Sequence, residues 1–311
     1  MRHSRSRRHS GTTTLPNHET GQSRPTSEVA VALTVQLLVN RVKSIYSLPT
    51  IYTRIDHAIH DPRSNLEDIG HILAEDSGLS ARLLRLANSA MYNFPSRVDT
   101  ITRAIAIIGT QQLRDLVLAT SVIQMFKGID AKIVDMEQFW HHSIATGIAA
   151  RVLTTYQREG NVERFYLMGL LHDIGRLIMY TQIPQQMSQL LQQAESPPQL
   201  LYRLERQQLG FDHAAVGRLL LKNWQLPEAI QHAVGYHHNP TGSASWQKEA
   251  AVIHCADVLV YGMALGSSGE HFVPKLSDMA WQSLKLPASL LPDILQHTEQ
   301  QFNDAVAIFL S

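Results

Sequence analysis

From about Val29 onward, apolar residues recur at helical spacing, and no stretch sustains the two-residue alternation of a half-buried strand. Leu66, Ile69, Ile72 and Leu73 make one stripe, and Leu79, Leu83, Leu86, Ala87 and Ala90 make the next. Ser64-Asn65-Leu66-Glu67 reads as a capping box, with Ser64 as N-cap and Glu67 reaching back. Thr100 should cap a short helix carrying Ile101, Ile105 and Ile108 that stops at Gly109. Leu113, Leu116, Val117, Thr120, Ile123 and Phe126 stripe a longer one. Further helices are expected near 137–156, 163–182, 199–208, 213–223, 227–238 and 248–264, then 277–285 and 288–309. Asn-Gly and Asp-Gly hairpin signals are absent, so the expected fold is all-α.

The pattern divides the chain. Residues 1–28 are Arg, Ser, Thr and Pro with almost no apolar content, and read as a disordered basic tail. Gly128-Ile129-Asp130 looks like a joint, giving an N-terminal helical lobe over 29–130 and a second lobe over 131–265. Residues 266–311 open on the loop Gly266-Ser267-Ser268-Gly269 and add C-terminal helices. Lys plus Arg and Asp plus Glu each number 27, and this zero balance weighs against nucleic acid as a partner. No apolar run approaches the roughly 18 residues of a membrane span. The single cysteine, Cys255, excludes an internal disulfide and a Cys-rich metal site, and suggests a reducing, cytoplasmic setting.

Histidine is abundant, with 16 in the chain, and its placement in the second lobe is informative. His172-Asp173 lies in Gly169-Leu170-Leu171-His172-Asp173-Ile174-Gly175-Arg176. Adjacent helical residues diverge by about 100°, so this pair can share one ion only where two faces meet a cavity. His142 has small neighbours, Thr146 and Ala149, on its own face. His213 follows a plausible N-cap, Asp212, and begins an apolar stripe. His237 ends the stripe Ile230, Val234, His237, with His238 beside it. Asp257 falls within an apolar helix, where an unpartnered carboxylate is costly. Each of these alone is compatible with a hydrogen-bonded core. Together, five histidines and two aspartates facing inward suit a divalent metal site of one or two ions.

In order, these residues resemble the HD superfamily of metal-dependent phosphohydrolases, and the span from about Val42 to Tyr261 resembles an HDOD domain, the HD-related output domain of bacterial signalling proteins. The stretch from Leu79 through Ser80-Ala81-Arg82 to Ala87-Asn88-Ser89-Ala90 is its most specific mark. Support comes from Trp140-His141-His142-Ser143, from Gly210-Phe211-Asp212-His213 and from Trp224-Gln225-Leu226-Pro227. The resemblance implies metal ligands at His142, His172, Asp173, His213, His237, His238 and Asp257, holding iron, manganese, zinc or magnesium. Some related phosphodiesterases carry a Glu ligand where this chain has Gln138, which weighs against a third ion. Arg176 stands where a phosphate-contacting Lys is frequent. The Gly-Tyr-Pro loop after the double histidine is missing, which weighs against cyclic-dinucleotide hydrolysis.

Three functions fit. The chain is a bacterial signal-transduction module acting through contacts with signalling proteins, with a metal or nucleotide ligand. Alternatively it is an active phosphohydrolase, with Asp173 bridging two ions and Arg176 offsetting phosphoryl charge. Or the histidines form a structural core without metal.

Overall fold

A computed structural model of the chain describes residues 33–310, apart from 44, 90, 93, 95, 127 and 128. The expected tail over 1–28, Ala90 of the second stripe and Gly128 of the joint lie outside the described residues. Among those described there are 16 α-helices, two short 3-10 turns and no strand, so the chain is all-α as its periodicity implies.

Six helices come first: α1 (Val35–Val42), α2 (Thr50–His60), α3 (Leu66–Ala74), α4 (Ser77–Ala87), α5 (Ile101–Ile108) and α6 (Thr110–Met125). The cap of α3 lies one residue later than the sequence suggests. Asn65 is the N-cap: its Oδ1 accepts from the amides of Glu67 (2.7 Å) and Asp68 (3.2 Å), and Asp68 Oδ2 accepts from the Asn65 amide. Ser64 is taken up instead in a turn, its amide donating to the Asp61 carbonyl. Asn caps as well as Ser, and Asp68 closes the box in place of Glu67. Asn65→Ala should therefore cost about 1 kcal/mol of stability by chemical denaturation, and Ser64→Ala much less.

Thr100 caps α5 as expected, its Oγ1 accepting from the Arg103 amide. At the end of α4, Asn88 explains the small-residue run there. Its amide donates to the Val98 carbonyl and its Oδ1 accepts from the Val98 amide, both at 2.8 Å, clamping a returning backbone onto the helix.

The site-bearing helices follow: α7 (Met136–Tyr156), α8 (Glu163–Leu171), α9 (Ile174–Gln182), α10 (Pro184–Glu195), α11 (Leu201–Leu209), α12 (His213–Asn223), α13 (Glu228–Tyr236) and α14 (Gln247–Gly262). α15 (Asp278–Leu284) and α16 (Leu291–Phe309) end the chain. α7 and α14 are buried on nearly every face and pack on each other, with α8 against both and α16 covering α7. α6 contacts α2, α4 and α8, while α1 lies against α9 and α12. The helix expected over 163–182 is two, interrupted at His172-Asp173, and that interruption shapes the site.

Candidate metal centre

Two close backbone approaches set the geometry. Gly147 of α7 meets Gly169 of α8, where a Cβ on Gly169 would lie 2.6 Å from the Gly147 Cα. This lets α7 and α8 close until His142 and His172 face one another. Gly175 at the start of α9 sits against the His213 carbonyl and the Gly217 amide of α12, with no room for a side chain. His213 is thereby brought beside Asp173.

Helix α8 ends at Leu171, and Asp173 adopts φ −100°, ψ 9° before α9 begins. The break turns two adjacent side chains into one cavity, which a continuous helix would not allow. His172 Nε2 lies 3.2 Å from Asp173 Oδ2. His142 Nε2 is 3.3 Å from His172 Nε2 and 3.1 Å from Asp257 Oδ1. Across the cavity, His213 Nε2 lies 2.9 Å from Asp173 Oδ1, 3.4 Å from His237 Nε2 and 3.0 Å from His238 Nε2. The side chains form two triads, His142–His172–Asp173 and His213–His237–His238, each with ligand atoms within 4.8 Å of one another. One Asp173 oxygen faces each triad, and Asp257 joins the first. All seven residues singled out in the sequence thus meet in one place. Six are buried and His238 is partly so.

Supporting hydrogen bonds aim the rings. Nδ1 of His172 donates to the Gly169 carbonyl (2.7 Å) and Nδ1 of His237 to the Val234 carbonyl (2.7 Å), while Nδ1 of His213 stands between Glu205 Oε2 (2.6 Å) and the Arg176 Nε that donates to it (3.2 Å). In the neutral rings of His172 and His237, with the proton on Nδ1, Nε2 presents a lone pair inward, the tautomer a metal requires. Unprotonated nitrogens facing at 3.0–3.4 Å repel, and the buried Asp173 Oδ1 and Asp257 Oδ1 stand 2.9 Å from His213 Nε2 and 3.1 Å from His142 Nε2, so the centre calls for protons or a cation between these atoms. A cation between them satisfies all these atoms. The donor set therefore fits one or two divalent ions, and its imidazole richness suits manganese, iron or zinc better than magnesium.

Electrostatics agrees. Burial disfavours charge on His172, but Asp173 and Asp257 outweigh it and push this imidazole up to about 10. Burial and Arg176 oppose charge on His213, while Glu205 and Asp173 prevail and raise it to about 9. His142 is held down by burial, and so are His237, to about 3, and His238, with neighbouring rings adding to burial in those two. Burial would raise Asp173, but Arg176, His172 and His213 keep it well below the carboxylate range. Without a metal, protons on His172 and His213 serve as the cations. Both folded values exceed the ordinary 6.5, so metal uptake near neutrality expels these protons and affinity rises with pH toward 9–10. By the same linkage, the stability these rings give the metal-free protein is full below about pH 6.5 and lost as pH climbs through 9–10. Chelator competition and melting curves across pH 6–10 should show opposite trends.

Four residues at the centre escaped the sequence. Glu205 of α11, fully buried, accepts from both the backbone amide (2.9 Å) and the ring of His213. Its signal is an acid one turn from Leu201 on an inward stripe. Tyr202 stacks on His238 at 4.0 Å, and Tyr261 packs on His142 at 4.3 Å. Ser268, in the loop after α14, is fully buried and donates to Asp173 Oδ2. Arg176 is also buried, its Nη1 donating to the Ser268 carbonyl (3.2 Å) and Oγ (3.0 Å) and its Nε to His213 Nδ1 (3.2 Å), with Asp173 and Glu205 close by. Gln138 is exposed in the first turn of α7. Cys255 is a buried small side chain whose thiol burial pushes up to about 12, and His254 is hydrogen-bonded core, its Nδ1 donating to the His237 carbonyl.

The family description HDOD domain matches residues 45–240, and the chain belongs to the HDOD family. It is 28% identical over 206 residues to an uncharacterized protein of Treponema pallidum (strain Nichols). That match takes in 65% of this chain and spans only 39% of the curated relative's length. Among solved structures it resembles a candidate phosphohydrolase from Shewanella amazonensis SB2B, with TM-score 0.69 and 23% identity, over 88% of this chain and 97% of that one. It also resembles a candidate signal transduction protein from Marinobacter aquaeolei VT8, with TM-score 0.69 and 19% identity, over 89% of this chain and 65% of that one. At such identities the likeness establishes the fold. Among the described residues no helix is long and apolar enough to cross a membrane.

Proposed function

We propose that this chain is a signal-transduction module of the bacterial cytoplasm, working through contacts with other signalling proteins, whose centre binds one or two divalent ions without turning over a substrate. The observation that carries this reading is closure. Ser268 fills the space beside Asp173, and Arg176 is taken up by the protein itself, its Nη1 donating to Ser268 and its Nε to His213 Nδ1. A bound divalent ion supplies Lewis acidity in an open site, and in a closed one a cross-link among α7, α9, α12, α13 and α14. His142, His172, Asp173 and Asp257 would hold one ion, and His213, His237 and His238 the second, with Asp173 facing both.

A phosphohydrolase is the second reading, favoured by the placing of one Asp173 oxygen toward each triad. The two readings part on one assay: bis(p-nitrophenyl) phosphate and cyclic dinucleotides with manganese- or iron-loaded protein. The regulatory reading expects no turnover above the metal blank. Turnover that disappears in Asp173→Ala, with the helical signal intact, establishes the hydrolase instead.

A further inference from the structure

One of the seven residues at the centre is held differently from the rest. Six are buried, so an ion reaches the triads only past a side chain that moves, and His238 is the one that meets solvent. It stands in the turn beyond α13, outside any helix. His237 and His213, its companions in the second triad, are fixed from behind at Nδ1, by the Val234 carbonyl and by Glu205 with Arg176. Among the described residues the His238 Nδ1 has no hydrogen-bond partner, and its ring is held from outside by a stack on Tyr202, with centroids 4.0 Å apart and planes at 13° to one another. His142 also lacks a partner at Nδ1, but it is fully enclosed within α7 beside Tyr261. Turning the His238 ring outward therefore breaks no hydrogen bond outside the triad, whereas turning either companion does.

Helix α11 supplies the cover. Tyr202 and Glu205 lie three residues apart on one face, so the helix that grips His213 also lays a ring over His238. Tyr202 is half-buried, with the exposed Arg203 donating to its hydroxyl (3.2 Å) and the exposed Arg206 over its ring at 5.2 Å. Arg206 is in turn tied at 2.6 Å to Asp212, the N-cap of α12 directly before His213.

We propose that His238 is the movable ligand through which divalent ions enter and leave the centre, and that Tyr202 is the positioning residue that keeps this port closed. The proposal rests on the metal reading above. With the ring turned out, His213 and Asp173 are open to solvent; with the stack re-formed, Nε2 points back at them. α11 thus sets how fast the centre loads and unloads without supplying a ligand itself.

The test is stopped-flow exchange of zinc on the whole protein, with a chromogenic chelator reading release and the bound metal counted beforehand. Uptake by the parent should level off as zinc is raised, because opening of the ring limits it. Tyr202→Ala should raise that plateau and the release rate about tenfold each, the worth of a ring stack, with affinity little changed and helicity intact. Tyr202→Phe, which keeps the ring, should show parent kinetics. A zinc-loaded protein whose uptake and release are unchanged in Tyr202→Ala overturns the port and leaves the metal reading standing. Faster release with unchanged uptake marks a weakened site rather than a port and also overturns it, as does Tyr202→Phe exchanging as fast as Tyr202→Ala. A parent protein that counts no zinc sinks the metal reading and the port with it.

Discussion

Asp173→Ala is expected to empty both triads at once, with apparent metal affinity falling at least about 100-fold, beyond the effect of losing a supporting residue. Asp173 is the one ligand with an oxygen toward each triad, at 3.2 Å from His172 Nε2 and 2.9 Å from His213 Nε2. Its loss also takes from the fully enclosed Arg176 its nearest carboxylate, leaving Glu205 at 3.9 Å and the buried Glu270 to offset its charge. An uncompensated buried charge of this kind costs about 3–5 kcal/mol. The variant should therefore bind less metal and melt earlier even when metal-free. His238→Ala provides the contrast. It removes a ligand from one triad, is partly exposed, and should leave the His142 side loaded with little change in metal-free stability. Elemental analysis with chemical denaturation reads both quantities.

Gly175→Ala is expected to destabilise the fold by roughly 3 kcal/mol or more, lowering Tm by roughly 6–12 °C. A methyl there meets the His213 carbonyl and, at 2.6 Å, the Gly217 amide. Both are backbone atoms with no rotamer to swing away, so α9 and α12 must separate. Separation draws His213 from Asp173 and so couples a packing defect to metal loss. Gly160, where an added methyl would meet nothing within 4 Å, is the control, and Gly160→Ala should leave Tm essentially unchanged. Thermal melts with and without excess metal should show that the Gly175 variant loses most of the stabilisation metal gives the parent.

The sequence made the helices and the inward histidines legible because burial at 3.6-residue spacing is a local property. It also posed the His172-Asp173 problem correctly, since two adjacent residues can share a cavity only off a regular helix. The helix break that solves it was not legible: neither His172 nor Asp173 is a Pro or Gly, and the interruption follows from α8 and α9 packing on different neighbours. The α3 cap slipped by one residue because Ser64 and Asn65 are both competent caps with an acid three residues on. Periodicity gives a face but not what lies against it. For that reason α1 could not be seen to pack on α9 and α12, nor Glu205 to grip His213. Ser268 was least accessible of all. A Gly/Ser stretch reads as solvent-exposed loop, and only closure of the chain onto α7 and α9 brings that hydroxyl to Asp173.

The most direct test is an elemental count on protein purified without a histidine tag, joined to anomalous difference density in a crystal. One or two manganese, iron or zinc ions per chain, lying between His142, His172 and Asp173 and between His213, His237 and His238, is the predicted result. A fully folded protein that takes up no divalent ion at any pH between 6 and 10, even when it is supplied in excess, would contradict the account.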